Sequence, residues 1–255
     1  MMEATTKMTF REALLTPPAI GPGDRLQTNL DTNFLKLVAI ISMLIDHIGG
    51  AFFPGQVGFR LIGRLAFPLF CYCMTVGLLY THDVRRYLFR LGAFALISQP
   101  FYILAFHPTE FVANLTNWNI FFTLFLSLLA MWGLKERKWW LFVLAAFTVC
   151  WWNFDYSGTG IELMLIFYLC RKHRGIGAAL FALMWLPALW NGTAGDPMSF
   201  QLFGHWMGFE LTALLALPLI FLHTHVHPQI PKWVFYAFYP AHLAVIALVR
   251  LATGL

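Results

Sequence analysis

The stretch FLKLVAIISMLIDHIGGAFF, residues 34–53, carries only Lys36, Asp46 and His47 as ionisable side chains in an otherwise apolar run. An α-helix of this length is about 30 Å long, the thickness of a bilayer's hydrocarbon core. The run therefore reads as a membrane span, and Asp46 and His47 lie roughly 18–20 Å along it from Phe34. A carboxylate at that depth needs a cation or hydrogen-bond donors, because an intramembrane charge costs several kcal/mol by most estimates, about 3 on insertion scales.

Working outward, the whole 255-residue chain repeats this texture, with 59% hydrophobic, 17% aromatic and 11% charged residues. Soluble domains carry roughly a quarter charged residues, so a bilayer is the solvent this composition implies. Apolar runs at 34–53, 61–81, 87–106, 118–134, 139–154, 160–170, 175–190, 208–223 and 233–251 predict an all-α polytopic integral membrane protein of about nine transmembrane helices. The segment at 160–170 is the shortest and reads equally as re-entrant. Residues 1–33 are expected to form a flexible cytoplasmic segment, with a surface-lying piece around Phe10–Leu15 as the alternative, and 34–255 a single transmembrane domain.

Basic residues set the orientation. Arg85 and Arg86, then Lys135, Arg137 and Lys138, then Arg171, Lys172 and Arg174, then Lys232 follow the second, fourth, sixth and eighth spans. The loops His107–Asn117, Asp155–Thr159 and Asn191–Met207 contain no Lys or Arg. The amino terminus is thus predicted in the cytoplasm and the carboxyl terminus outside. The formal charge of +5 is accounted for by this pattern, and no nucleic-acid site is read from it. Cys71, Cys73, Cys150 and Cys170 sit in or beside apolar runs without metal-site spacing. His223-Thr224-His225-Val226-His227 has alternate histidines but no carboxylate nearby, so no metal is expected there. Trp139-Trp140 and Trp151-Trp152 bracket one span as an aromatic belt. No sustained internal repeat of the kind found in many secondary transporters is visible.

Polar residues gather toward the outer half. Asp46 and His47 in the first span, Arg60 and Arg64 one turn apart entering the second, and Gln99 before Pro100 in the third all fall at that level. Asn117 and Asn119 open the fourth span, Asp155 and Tyr156 the sixth, Glu162 lies further in, and His242 follows Pro240 in the last. Arg64 is placed to meet Asp46. Arg60, Asn117 and Asp155 also suit a boundary that needs no function, and Arg250 suits snorkelling to the interface.

Several blocks carry a resemblance: Met43-Leu44-Ile45-Asp46-His47-Ile48-Gly49, Leu61-Ile62-Gly63-Arg64-Leu65-Ala66-Phe67-Pro68, Ile97-Ser98-Gln99-Pro100, Asn119-Ile120-Phe121-Phe122-Thr123, Asp155-Tyr156, and Tyr239-Pro240-Ala241-His242-Leu243. In this order they resemble the TraX family of conjugation-associated membrane proteins, across about residues 30 to 250. The resemblance implies a multi-pass protein of the bacterial inner membrane that acetylates a pilin amino terminus, distantly similar to membrane acyltransferases. Acetyl-CoA is then the co-substrate, and an acceptor peptide or glycan is the partner, with oligomerisation left open. Acyl transfer needs a base, an orienting group for it, and donors to the oxyanion. His47 with Asp46 supplies the first, Asp155 or Glu162 is the expected orienter, and Arg64, Gln99 and Asn119 are the expected donors, with His242 bracketing the site. Arg85, Arg86 and Arg90 are candidates to hold CoA phosphates. The alternative is a proton-coupled transporter or exporter with an Asp46/His47/Glu162/His242 relay.

Overall fold

Asp31 accepts a hydrogen bond from the Phe34 amide and so caps a helix, α1, that runs over Thr32–Phe52. One stripe of α1, Leu35, Ala39, Met43, Asp46 and Gly49, is buried at helical spacing. The structure, a computed structural model, describes residues 28–254 apart from 153 and 227. Residues 1–27, with the piece around Phe10–Leu15, lie outside the described residues. Ahead of α1, Asn29 donates to the Leu219 carbonyl and to Thr224, and Tyr72 donates to the Asn29 carbonyl, so the bundle's contacts begin before position 34.

The chain continues through α2 (Val57–Gly63) and α3 (Ala66–Tyr80), then α4 (Val84–Phe106), α5 (Ile120–Lys135) and α6 (Trp139–Trp151). α7 (Thr159–Leu169), α8 (Arg174–Trp185), α9 (Ala216–Phe221) and α10 (Lys232–Thr253) complete the helices. α3 lies between α1, α5 and α7, and α10 packs along α4 and α1. Leu141, Ala145 and Val149 seat α6 on α5, where a Cβ on Gly133 would stand 2.9 Å from the Phe142 amide nitrogen. A short antiparallel hairpin, β1 (Ser199–Leu202) with β2 (His205–Gly208), interrupts the all-helical reading between α8 and α9. Its turn places Phe203 at φ 50° and Gly204 at φ 81°, the left-handed pair that a two-residue hairpin requires.

By length and composition four helices can cross a membrane: Thr32–Phe52, the α2–α3 unit Val57–Tyr80, Val84–Phe106 and Lys232–Thr253. Apolar helical segments also occupy the other predicted positions, at Ile120–Lys135, Trp139–Trp151, Thr159–Leu169, Arg174–Leu189 and Phe209–Phe221, but they are shorter. A helix of 13 residues, such as α6, spans only about 20 Å, so length alone does not carry the expected count of nine crossings. Large apolar side chains cover the outside: Phe89 and Leu96 on α4, Val143 and Phe147 on α6, and Val245 and Leu248 on α10 are all exposed. A surface this apolar is a membrane-facing one. Trp139, Trp140, Trp151 and Trp152 stand exposed at the two ends of α6, where interfacial anchors belong.

The bundle has two unlike ends. One carries the starts of α1, α4 and α10 with the Lys/Arg loops, and is here called the basic end. The other, the far end, carries the close of α1, the α2–α3 junction and the α6–α7 loop.

At the far end α1 and α2 approach so closely that a Cβ on Gly63 would lie 2.1 Å from the Asp46 Oδ1 atom, and one on Gly49 would lie 2.1 Å from the Phe59 Cβ. Gly63→Ala is expected to destabilise the fold by roughly 1–3 kcal/mol, the usual range for an overpacked core. Thermal unfolding in detergent checks this, with Gly58→Ala, where a Cβ meets nothing within 4 Å, as the near-neutral control.

Candidate functional site

Arg60 and Arg64 sit one turn apart and both turn toward α1. Arg60 Nη1 donates to Asp46 Oδ2 at 2.9 Å, and Arg64 Nη2 donates to Asp46 Oδ1 at 3.0 Å. The expected Arg64–Asp46 pair is present, and Arg60, which also suited a bland boundary role, joins it. Asp46 is 7% and Arg64 8% exposed, so this is a buried three-ion cluster rather than a surface pair. The Arg64 guanidinium also lies over the rings of Phe209, at 4.6 Å, and Tyr156, at 5.1 Å. Its Nε is buried without a hydrogen-bond partner.

The neighbouring residue, His47, faces another helix. Its Nδ1 is 2.7 Å from His242 Nε2, and His242 Nδ1 is 2.8 Å from the Phe238 carbonyl on its own helix. A carbonyl only accepts, so His242 Nδ1 carries a hydrogen. In the neutral pair His242 Nε2 is then an acceptor, His47 Nδ1 donates to it, and His47 Nε2 is left with a free lone pair. The rings of Phe106, Tyr239 and Phe238 pack around the two histidines.

Asp46, His47, Arg60, Arg64, Asp155 and Tyr156 line one recess of about 550 Å³ at the far end. Asp155 enters from the α6–α7 loop, where Thr123 donates to its carbonyl and the next two residues, Tyr156 and Ser157, take positive φ angles of 63° and 43°. Tyr156 stacks on Phe67 with ring centroids 3.9 Å apart. A base with a free lone pair and a fixed guanidinium lining one such recess can take a proton from a nucleophile and steady an oxyanion.

Other expected site residues have different employment. His242, not Asp155 or Glu162, orients His47; Glu162 is exposed on α7 and does not line the recess. Gln99 and Asn119 satisfy one another instead of facing the recess. Asn119 Nδ2 donates to Gln99 Oε1 at 2.8 Å and to the Ala95 carbonyl, Asn119 Oδ1 caps α5, and Gln99 Nε2 donates to the Asn117 carbonyl. Their role is to lock α4 to the start of α5. Arg250 donates to the Ala105 carbonyl, near the end of α4. Arg85 and Arg86 are exposed at the basic end, with Arg86 paired to Asp83, whereas Arg90 is half-buried. In the histidine-rich run, Thr224 bonds Asn29 and the Val226 amide bonds Asp31, while His227 lies outside the described residues. Tyr102 and His107 line the recess although sequence reasoning passed over them. The usable signal was position, since both lie near the end of the helix that carries Gln99.

A family model described as TraX protein matches residues 31–250. A probable fimbrial assembly protein, FimC of serogroup H1, from Dichelobacter nodosus is 28% identical over 235 residues, covering 85% of this chain and 94% of its own length. An uncharacterised protein of Rickettsia prowazekii is 48% identical over 40 residues, 16% of each chain. No solved structure matches the chain.

The ion cluster makes its own test. Removing the carboxylate in Asp46→Ala leaves buried Arg64 uncompensated and is expected to cost roughly 3–5 kcal/mol, whereas Asp46→Ala combined with Arg64→Leu costs markedly less than the sum of the single changes. A double-mutant cycle on unfolding in detergent measures that coupling.

Proposed function

This chain belongs to the TraX family, and from that premise we propose that it is a membrane-embedded acetyltransferase, moving an acetyl group from cytoplasmic acetyl-CoA to an amine or hydroxyl acceptor across the bilayer. The observation that carries this reading is His47, bonded to His242 behind it, sharing one recess with Arg64. His47 Nε2 is the base. As the acceptor's nitrogen or oxygen bonds to the acyl carbon, His47 takes its proton; the carbon–sulfur bond breaks, and the proton passes on to the leaving thiolate. Arg64 donates to the carbonyl oxygen while it carries negative charge, a role that its pairing with Asp46 prepares by fixing its position. His242 is a positioning residue, holding His47 in the tautomer that leaves Nε2 free.

The acceptor side follows from the relative. FimC is named for fimbrial assembly, which favours a pilus or fimbrial subunit, with an envelope sugar as the other acceptor chemistry. The alternating basic loops support nine crossings of a bacterial inner membrane, with the basic end in the cytoplasm and the recess opening outside. The transporter reading draws less support: Glu162 lies outside the recess, and both Asp46 oxygens are engaged by arginines.

Acetyl-CoA consumption by the purified protein in nanodiscs, with peptide amines and sugars supplied, tests the reading. Acceptor-dependent CoA release is expected, falling roughly 10²- to 10⁴-fold in a folded His47→Ala protein, the range a general base supplies. Undiminished turnover in that variant would remove His47 from the mechanism, and proton flux in liposomes without any acyl transfer would favour the transporter. His242→Gln, whose amide oxygen can still accept from His47 Nδ1, is expected to keep more activity than His242→Ala, with the acetyl-CoA KM unchanged in both.

A further inference from the structure

A second recess, of about 210 Å³, opens at the basic end. Three cations line it: Lys36 in the first turns of α1, Arg90 in the second turn of α4, and Lys232 at the start of α10. No aspartate or glutamate lines this recess, and none of the three cations pairs with a carboxylate among the described residues. Lys36 Nζ lies 5.5 Å from the Phe235 ring centroid and the Arg90 guanidinium 5.9 Å from that of Tyr236, so aromatic faces rather than anions flank them. The Arg90 Nε is buried and has no hydrogen-bond partner. Cations gathered around a partly buried cavity repel one another and lose hydration, and an entering anion reverses both costs. At the far end, by contrast, Arg60 and Arg64 share the Asp46 carboxylate.

The shape narrows the anion. The recess is smaller than the roughly 300 Å³ that drug-sized ligands fill, so a bulky nucleotide does not fit inside it, whereas a slender uncharged arm does. Exposed Lys232 marks the mouth, and the interior beyond Lys36 and Arg90 is largely apolar, with Phe70, Met74 and Leu91. Phe70, Phe121 and Leu124 line this recess and also the one that holds His47. One layer of side chains therefore separates the two. Phe121 in that layer stacks on Tyr239, which packs against both histidines.

We propose that the recess at the basic end seats a phosphate-bearing acyl donor, with Lys36, Arg90 and Lys232 on its phosphates and its thioester arm threading past Phe70, Phe121 and Leu124 toward His47. The threading rests on the acyltransferase reading, while the anion site stands apart from it. Of the arginines expected to hold CoA phosphates, Arg90 belongs to this site and Arg85 and Arg86 do not line it.

The probe is CoA, titrated by calorimetry into the full-length protein in nanodiscs of zwitterionic phosphatidylcholine. Saturable binding is expected, weakened about tenfold or more by Lys36→Gln or Arg90→Gln and less than about twofold by Arg85→Gln or Arg86→Gln, since charge-assisted phosphate contacts are the strong ones. Thermal unfolding confirms that each variant folds. Unchanged affinity in Lys36→Gln and Arg90→Gln overturns the site. The same phosphate chemistry could come from a lipid headgroup: absence of CoA binding, together with phosphatidylglycerol retention that Arg90→Gln abolishes, overturns the donor seat in favour of lipid. CoA binding through these cations without acyl transfer keeps the anion site and sinks the acyltransferase reading. Transfer with an unchanged acetyl-CoA KM in the Lys36→Gln, Arg90→Gln double variant does the reverse.

Discussion

A carboxylate shared between two guanidiniums in apolar surroundings is the constraint from which the rest of the site follows. Asp46 cannot sit on a membrane-embedded helix without cations, and Arg60 and Arg64 can reach it only because α2 docks closely against α1. That docking requires glycine at 63 and 49, where any Cβ would collide with Asp46 or Phe59. Once α1 is fixed in rotation by Asp46, the adjacent side chain is fixed too, and His47 is turned about 100° around the helix toward α10. The charge cluster therefore fixes two side chains: it holds a guanidinium at the recess, and it sets the direction of the adjacent imidazole.

Depth was legible in the sequence and rotation was not. Counting residues from each predicted boundary placed Asp46, His47, Arg64 and Asp155 toward the outer half, and all four line one recess, with His242, read near mid-depth, bonded to His47 behind it. Gln99 and Asn119 were read toward the outer half as well, and Glu162 a turn or two further in, but depth says nothing about which way a helix faces. Gln99 and Asn119 face each other, and Glu162 faces outward. The partner of His47 was beyond reach for a related reason: it is 195 positions away, and no local spacing encodes that contact. Helix existence was readable from apolar runs alone, whereas helix length was not. The stretch 208–223 reads as one span but folds as a 3-10 segment, Phe209–Leu215, followed by α9.

The two ends of the bundle treat charge in opposite ways. At the far end Arg60 and Arg64 are both bonded to Asp46, and electrostatics there rigidify. At the basic end Lys36 and Arg90 lie by aromatic rings, and no carboxylate lines the recess that they share with Lys232. A molecule that binds at one end and reacts at the other needs this asymmetry, since a preorganised site gains from fixed partners and a loading site from vacant ones.

The separation of 18 residues between Asp46 and Arg64, against 195 between His47 and His242, also orders the birth of the site in time. A growing chain brings α1 and α2 together almost as soon as both have left the ribosome, since closing so short a loop costs little entropy. The histidine pair must wait for α10 to be made and to pack along α4 and α1. Until that moment Asp46 is already paired with its arginines, while the imidazole has no partner to set its tautomer. A nascent chain thus shields the Asp46 carboxylate from lipid early and completes its histidine pair only when its last helix docks.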